Sequence, residues 1–264
     1  MRSIHERRPR RNLASAMVLA AVFATAACQS KTASLDSLDS MSTASTAKPS
    51  FSATAALGKK WKADPSNIEI SIAYANGLQA LGQTDQQMMV LKTLAGYHPQ
   101  DPKLQSLYGK KLLAVGQADE AIAVLGGAVA TGNADWRLLS ALGSAYDQQG
   151  RYAEARTQYG KALQLQPQEI SVLNNMGMSY ALEGDLKQAE TTLRQVSLLP
   201  KAAAEPRIRQ NMALVVGLQG RFDEARKIAS EDLPPDQVEA NMVYLQKMLS
   251  QPNTWQQLSG DTQG

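Results

Sequence analysis

The side chains best suited to nucleophilic or metal chemistry are Cys28, the one cysteine, and His98, the one histidine after residue 27. One cysteine excludes an intramolecular disulfide, and one cysteine with one histidine cannot complete a structural zinc site. The sequence has no Walker A loop, nucleophile elbow or dinucleotide-binding glycine pattern. We therefore predict a protein that is not an enzyme, with no catalytic residues, no metal and no cofactor.

The net charge of +3 comes from the N-terminus of the chain. The first 27 residues hold five arginines and one glutamate, and the remainder has 22 basic and 23 acidic residues, a net charge of −1. The basic pI of about 8.9 is therefore no argument for nucleic-acid binding.

Residues 1–27 have the anatomy of a secretory signal peptide. Residues 1–11 are positively charged, and residues 12–27 are uncharged and mostly apolar, ending in small side chains. The apolar run is too short for a membrane-spanning helix, which needs about 20 residues. We expect an exported protein.

Cys28 follows Thr25-Ala26-Ala27 and precedes Gln29, and this order resembles the lipobox of bacterial lipoproteins. The resemblance implies that the Cys28 thiol is lipidated, and Gln29 after it implies the periplasmic face of the outer membrane. Acyl chains on Cys28 would anchor the protein. The lipobox usually has leucine where this sequence has Thr25. The alternative is an ordinary signal peptide cut elsewhere, which leaves a free thiol.

Residues 28–58 are rich in serine, threonine and alanine and have few large apolar side chains. They cannot bury enough surface to offset their chain entropy, so we predict a flexible tether. Residues 251–264 are predicted to be a polar tail. Residues 59–250 between them are predicted to fold, and a short helix over residues 54–63 is expected to lead in.

Five glycines mark an internal repeat: Gly82, Gly116, Gly150 and Gly184 are each 34 residues apart, and Gly220 follows after 36. Seven residues before each lies a small residue, in order Ala75, Gly109, Gly143, Gly177 and Ala213. Alanine lies five residues after the last four glycines, where the first unit has Gln87. This pattern predicts pairs of closely packed antiparallel helices, with a glycine ending the first helix of each pair.

The repeat resembles the tetratricopeptide repeat (TPR). The positions of residues 136–169 that match the consensus are Trp136, Leu142, Gly143, Tyr146, Gly150, Tyr152, Ala155, Tyr159, Ala162 and Pro167. The units are 68–101, 102–135, 136–169, 170–203 and 206–237. The resemblance implies an all-α, right-handed TPR solenoid of about five helix-turn-helix repeats. Residues 236–250 place Val238, Met242, Leu245 and Leu249 on one helical face, which predicts a C-terminal capping helix.

TPR domains bind an extended peptide or a helix in the groove lined by the first helix of each unit. The groove positions transferred to this sequence are Asn76, Ser106, Lys110, Arg137, Ser140, Ser144, Asn174, Asn175, Met178, Arg207, Gln210 and Asn211. Asn175 and Asn211 occupy equivalent positions and either contact a peptide backbone or are simply common there. Lys110, Arg137 and Arg207 favour an acidic segment or a terminal carboxylate. The complete cationic clamp of chaperone-binding TPRs is not evident.

The leader, the tether and the closing repeat together resemble the TadD family, the TPR lipoproteins of the tight-adherence (Tad/Flp) pilus system. The segments that carry the resemblance are 209–226, 232–237, Tyr244-Leu245 and residues 253–255. The resemblance implies a pilotin-like factor that supports secretin assembly or localisation and Flp (type IVb) pilus biogenesis. The expected partner is the secretin or another pilus-assembly subunit. Alternatives are another TPR lipoprotein, such as a type IV pilus pilotin or outer-membrane assembly factor, and a soluble periplasmic scaffold in cell-envelope metabolism.

Overall fold

A computed structural model describes residues 50–250, which form twelve α-helices and one short 3₁₀ helix. The predicted signal peptide, Cys28, most of the predicted tether and the predicted tail at 251–264 lie outside the described residues. The helices are α1 (Phe51–Ala63), α2 (Ile68–Ala80), α3 (Thr84–Tyr97), α4 (Pro102–Ala114), α5 (Ala118–Ala130), α6 (Trp136–Gln148), α7 (Tyr152–Leu165), α8 (Ile170–Glu183), α9 (Leu186–Ser197), α10 (Pro206–Leu218), α11 (Phe222–Ala229) and α12 (Pro235–Ser250).

Helices α2 to α11 form five helix-turn-helix pairs, and α1 and α12 flank them. Each helix packs on the next along the chain, and the first helices of neighbouring pairs also touch from α4 through α6 and α8 to α10. No strand occurs between residues 50 and 250. The predicted all-α TPR solenoid with a capping helix is therefore confirmed.

The five repeat glycines end the first helix of each pair. Each has a φ between +71° and +98°, which L side chains rarely adopt. The residue after each glycine donates its backbone N–H to the carbonyl five residues earlier, as Arg151 does to Tyr146 at 2.9 Å. This Schellman bond satisfies a carbonyl that the helix end leaves open and turns the chain into the second helix.

The small residues of the first helices meet large side chains of the second helices. A Cβ added at Gly143 would lie 2.5 Å from the Tyr159 ring, and one at Gly177 would lie 2.9 Å from Leu193. Gly109 meets Leu125 in the same way. The small residue at these positions therefore makes room for a ring or a branched side chain of the second helix.

The N-terminal helix α1 begins at Phe51, inside the segment that was predicted to be tether up to residue 58, and three residues before the predicted start at 54. The Ser50 hydroxyl caps it by accepting a hydrogen bond from the Ala53 N–H at 3.2 Å. Its small residues pack closely on α2, since a Cβ on Gly77 would lie 2.8 Å from Thr54 Oγ1. Thr54 and Gly58 are the buried residues of this helix, and most of its other side chains are exposed.

The C-terminal helix α12 covers the other end of the solenoid. Val238, Met242 and Leu245 are buried, and Leu245 packs on Gly217 of α10. Before the last pair, the 3₁₀ helix Pro200–Ala204 occupies the connection from α9 to α10. That connection accommodates the two extra residues of the last glycine spacing.

Candidate functional site

The surface carried by α2, α4, α6, α8 and α10 is the candidate site, and we call it the first-helix face. Hydrogen bonds link neighbouring first helices along it. Ser106 Oγ donates to the Arg137 carbonyl at 3.2 Å, and the Asn211 amide donates to Asn174 Oδ1 at 2.9 Å. The Asn175 amide lies 3.5 Å from Ser140 Oγ. These contacts hold successive repeats in register.

The predicted groove residues differ in exposure. Asn76, Lys110 and Arg207 are exposed, and Asn174 is only 3% exposed. Those that are half-buried are Arg137, Ser144, Asn175, Met178, Gln210 and Asn211. Ser106 and Ser140 are buried. Asn174, like these two serines, therefore serves mainly to join helices, while the exposed and half-buried residues keep surface that solvent can reach.

The two asparagines at equivalent positions use their amide hydrogens inside the protein. Asn211 donates to Asn174, and Asn175 faces Ser140 across the gap between α8 and α6. Each amide has two hydrogens and a carbonyl oxygen, so one bond leaves further capacity. Contact of these two side chains with a peptide backbone stays a prediction.

Two of the cations predicted for the groove, Arg137 and Arg207, act on the third, Lys110. The surrounding helices displace water from the amine of Lys110. This desolvation is the largest cause of its lowered pKa, although part of the residue stays exposed. The charges of Arg137 and Arg207 lower the pKa further, while Asp135 and Glu169 act in the opposite direction. Arg137 lies 4.3 Å above the Trp136 ring and 3.8 Å from an Asp135 oxygen. Side chains from α4, α6 and α10 thus share one electrostatic environment.

A partly buried polar cluster beside the first-helix face was missed from the sequence. Asp147 accepts a hydrogen bond from Ser179 at 2.6 Å and another from Tyr159 at 2.7 Å. The Ser144 hydroxyl lies 3.2 Å from the Tyr159 hydroxyl. Burial raises the pKa of Asp147 to about 6, although both hydrogen bonds and the Arg156 charge oppose the shift. This cluster joins α6, α7 and α8.

Arg156 lies next to this cluster but pairs with a different carboxylate. Its Nη2 is 2.7 Å from Glu183, and its guanidinium lies 4.6 Å above the Tyr180 ring. Its Nη1 is buried and has no hydrogen-bond partner among residues 50–250. The sequence does carry one signal for the cluster: Ser144 and Asp147 are three residues apart, which places both side chains on one face of α6.

The residues first considered for chemistry are not brought together in the described part of the chain. His98 Nε2 lies 2.7 Å from the Ser66 carbonyl, in the connection before α2, and Cys28 falls outside the described residues. Between residues 50 and 250, no group of three or more histidine, cysteine, aspartate or glutamate side chains is placed to hold a metal ion. Over the same range, no helix has the length and apolar character needed to cross a membrane.

Comparison with known proteins agrees with this architecture. Residues 143–184, from the middle of α6 to the end of α8, match the family model described as the TPR repeat. No curated protein matches the sequence. The likeness to solved structures extends over most of the chain.

Three solved structures are similar. A thermophilic TPR protein from Thermus thermophilus is 23% identical with a TM-score of 0.57, over 67% of this chain and 97% of that one. PilW, described as a widely conserved type IV pilus biogenesis factor, is 19% identical with a TM-score of 0.57, over 75% and 90%. A TPR protein from Parabacteroides merdae is 12% identical with a TM-score of 0.59, over 79% and 90%. At these identities the likeness shows the fold, a TPR solenoid.

Proposed function

We propose that this protein is a membrane-anchored scaffold that holds a segment of another protein on its first-helix face. The observation that carries the proposal is the continuous first-helix face, on which polar links fix the helices while Asn76, Lys110 and Arg207 stay exposed. An extended surface of this kind suits an extended protein segment better than a small substrate.

The proposed setting is the Tad/Flp pilus system, with the secretin or another assembly subunit as the partner. This part rests on the sequence resemblance to the TadD family. The closing segment that carries much of that resemblance is firmly packed: Arg209 donates from Nε to Asp232 at 2.7 Å and from Nη1 to the Ala203 carbonyl at 2.8 Å. The similarity to PilW supports the fold and leaves the pilus role to experiment.

A lipid on Cys28 completes the proposed mechanism, which is tethered capture at the periplasmic face of the outer membrane. An anchor confines the solenoid to the membrane and raises the effective concentration of its site near the partner without new contacts. The anchor is therefore expected to be needed for function although it lies far along the chain from the repeats.

Replacement of the predicted lipid-bearing residue tests the proposal. In Cys28→Ser cells we expect the protein in the soluble periplasmic fraction and surface pili lost, as judged by membrane fractionation and pilus counts. Ser30→Ala keeps the thiol and is the matched control, expected to stay on the membrane. Retention of the Cys28→Ser protein on the membrane would contradict the anchor.

Cross-linking in cells tests the partner. A photo-reactive residue at Asn76 or Arg207 on the first-helix face is expected to capture a pilus-assembly subunit, and one at exposed Lys161 on α7 is not. Capture of an outer-membrane assembly component or a cell-wall enzyme would replace the pilus role with one of the alternatives. Cross-links that are equal from both faces would remove the first-helix face as the site.

A further inference from the structure

Three cations from separate repeats lie on the first-helix face. Lys110 lies in α4, Arg137 at the start of α6 and Arg207 at the start of α10. The 3.2 Å hydrogen bond from Ser106 to the Arg137 carbonyl brings α4 against the start of α6, one turn before Lys110. Arg207 is exposed on the same face, and its charge, like that of Arg137, contributes to the lowered pKa of Lys110. We call these three residues the cation cluster.

The carboxylates around the cation cluster offset its charge only in part. Asp135 and Glu169 act on Lys110, and an Asp135 oxygen lies 3.8 Å from Arg137 Nη1. Both carboxylates also accept hydrogen bonds from neutral donors, Asp135 from the Leu138 N–H at 2.8 Å and Glu169 from the Ser171 hydroxyl at 2.8 Å. Two negative charges against three positive charges leave a net positive charge, which favours a bound anion.

Arg137 is also held in a fixed position. Its guanidinium is stacked 4.3 Å above the Trp136 ring, and the nearest Asp135 oxygen is 3.8 Å away, longer than a hydrogen bond. Stacking restricts the side chain without using its N–H donors. The guanidinium fork therefore remains available to a carboxylate, which it matches in geometry.

We infer that the first-helix face binds an extended acidic segment of a partner protein, whose carboxylates contact Lys110, Arg137 and Arg207. The inference rests on the proposed scaffold function and names the chemistry of its ligand. Because the three cations come from the second, third and fifth repeats, an extended segment with several carboxylates can contact all of them. Half-buried Gln210 on the same face offers hydrogen bonds to the segment's backbone.

Fluorescence anisotropy with synthetic peptides tests this inference on the purified protein. The probe is a labelled, C-terminally amidated peptide that alternates glutamate with serine. A glutamine–serine peptide of equal length is the uncharged control, and the same uncharged peptide with a free C-terminus presents one terminal carboxylate. At low salt we expect saturable binding of the glutamate peptide alone, weakened as salt rises.

Matched charge removals then locate the site. Lys110→Gln, Arg137→Gln and Arg207→Gln should each weaken binding of the glutamate peptide by about fivefold or more, while Lys161→Gln, which removes an exposed lysine on α7, should change it by less than about twofold. Circular dichroism checks that each variant keeps its helices. Equal losses from all four variants, or none, would overturn the inference, as would preference for the free C-terminus. If the peptide fails while cross-linking still captures a partner, the scaffold proposal stands and the acidic ligand falls.

Discussion

A glycine opposite a large buried side chain is the residue-scale unit of this fold. Gly143 lies against Tyr159, which is 1% exposed and donates to Asp147. The ring cannot retreat because its face is packed and its hydroxyl is bonded. The glycine is therefore required by space, whereas Gly160 in α7 has no described neighbour within 4 Å of an added Cβ.

Gly143→Ala is thus expected to lower the free energy of unfolding, and Gly160→Ala is expected to raise it. An overpacked core substitution costs about 1–3 kcal/mol. An alanine in open space on a helix gains about 0.5–1 kcal/mol by reducing the freedom of the unfolded chain. Thermal unfolding followed by circular dichroism measures both changes. If Gly143→Ala proved as stable as Gly160→Ala, the close contact with Tyr159 would be wrong.

The sequence was informative where residue type and spacing coincide. It located the turn glycines and the small packing positions, but it did not indicate that Asn174 is buried or that Asp147 forms a hydrogen-bonded cluster. Those properties depend on which side chains a neighbouring repeat supplies, here Asn211 and Ser179. In the first repeat, Gln87 replaces the usual alanine and is buried, and its amide is satisfied by a hydrogen bond to Gln79 Oε1 at 3.0 Å.

At the scale of elements, four of the five first helices share a starting device, whereas α10, which begins at Pro206, has no side-chain cap. Asn67, Asp101, Asp135 and Glu169 each accept a backbone N–H of the helix that follows. Such caps satisfy donors that the first turn leaves open. Among the second helices α3, α5, α7, α9 and α11, only α9 has a side-chain cap, from Asp185. The preceding turn fixes the direction of these helices instead.

The Asp147 cluster ties three elements together and makes their packing sensitive to pH. The pKa of Asp147 is about 6 in the folded protein against an ordinary value of 3.8. A raised pKa in an acid means that the folded state holds the proton more tightly. The contribution of this carboxyl to stability is therefore greatest below about pH 3.8 and is lost as pH rises to about 6.

Asp147→Asn should remove that dependence. From pH 4 to pH 7 we expect the variant to gain about 1–3 kcal/mol in stability relative to the unsubstituted protein, because the amide never ionises. Denaturant titrations at several pH values measure the difference. Asp85→Asn, at an exposed carboxylate of α3, is the control. A constant difference between Asp147→Asn and the parent across this range would contradict the assignment.

At the scale of the whole molecule, stability is distributed along one dimension. Each helix contacts its neighbours in the chain and the next repeat. The apolar faces of the first and last repeats would therefore be exposed without the flanking helices α1 and α12. The TPR architecture and the cap were predictable, because both depend on local periodicity. The start of α1 was placed too late, since its small residues gave no signal of burial until α2 was placed against them.

Leu245→Ala is expected to weaken the C-terminal end selectively. Leu245 is 1% exposed and packs on Gly217, and removal of a buried leucine costs about 2–5 kcal/mol. Val243 on the same helix is 55% exposed, so Val243→Ala is the control. Hydrogen exchange should accelerate in α10 to α12 and change little in α2 to α5. Uniform acceleration would mean that the solenoid unfolds as one unit.

The stack of Arg137 on Trp136 has a spectroscopic consequence. The indole lies 4.3 Å beneath a guanidinium of the cation cluster, so it is a natural chromophore at the proposed binding surface. Trp61, the other indole within residues 50–250, lies beside Tyr74 at the far end of the solenoid. A carboxylate that draws the guanidinium away alters the electric field on the Trp136 ring. Occupancy of the first-helix face can then be observed as a change in intrinsic emission, without any label on the partner.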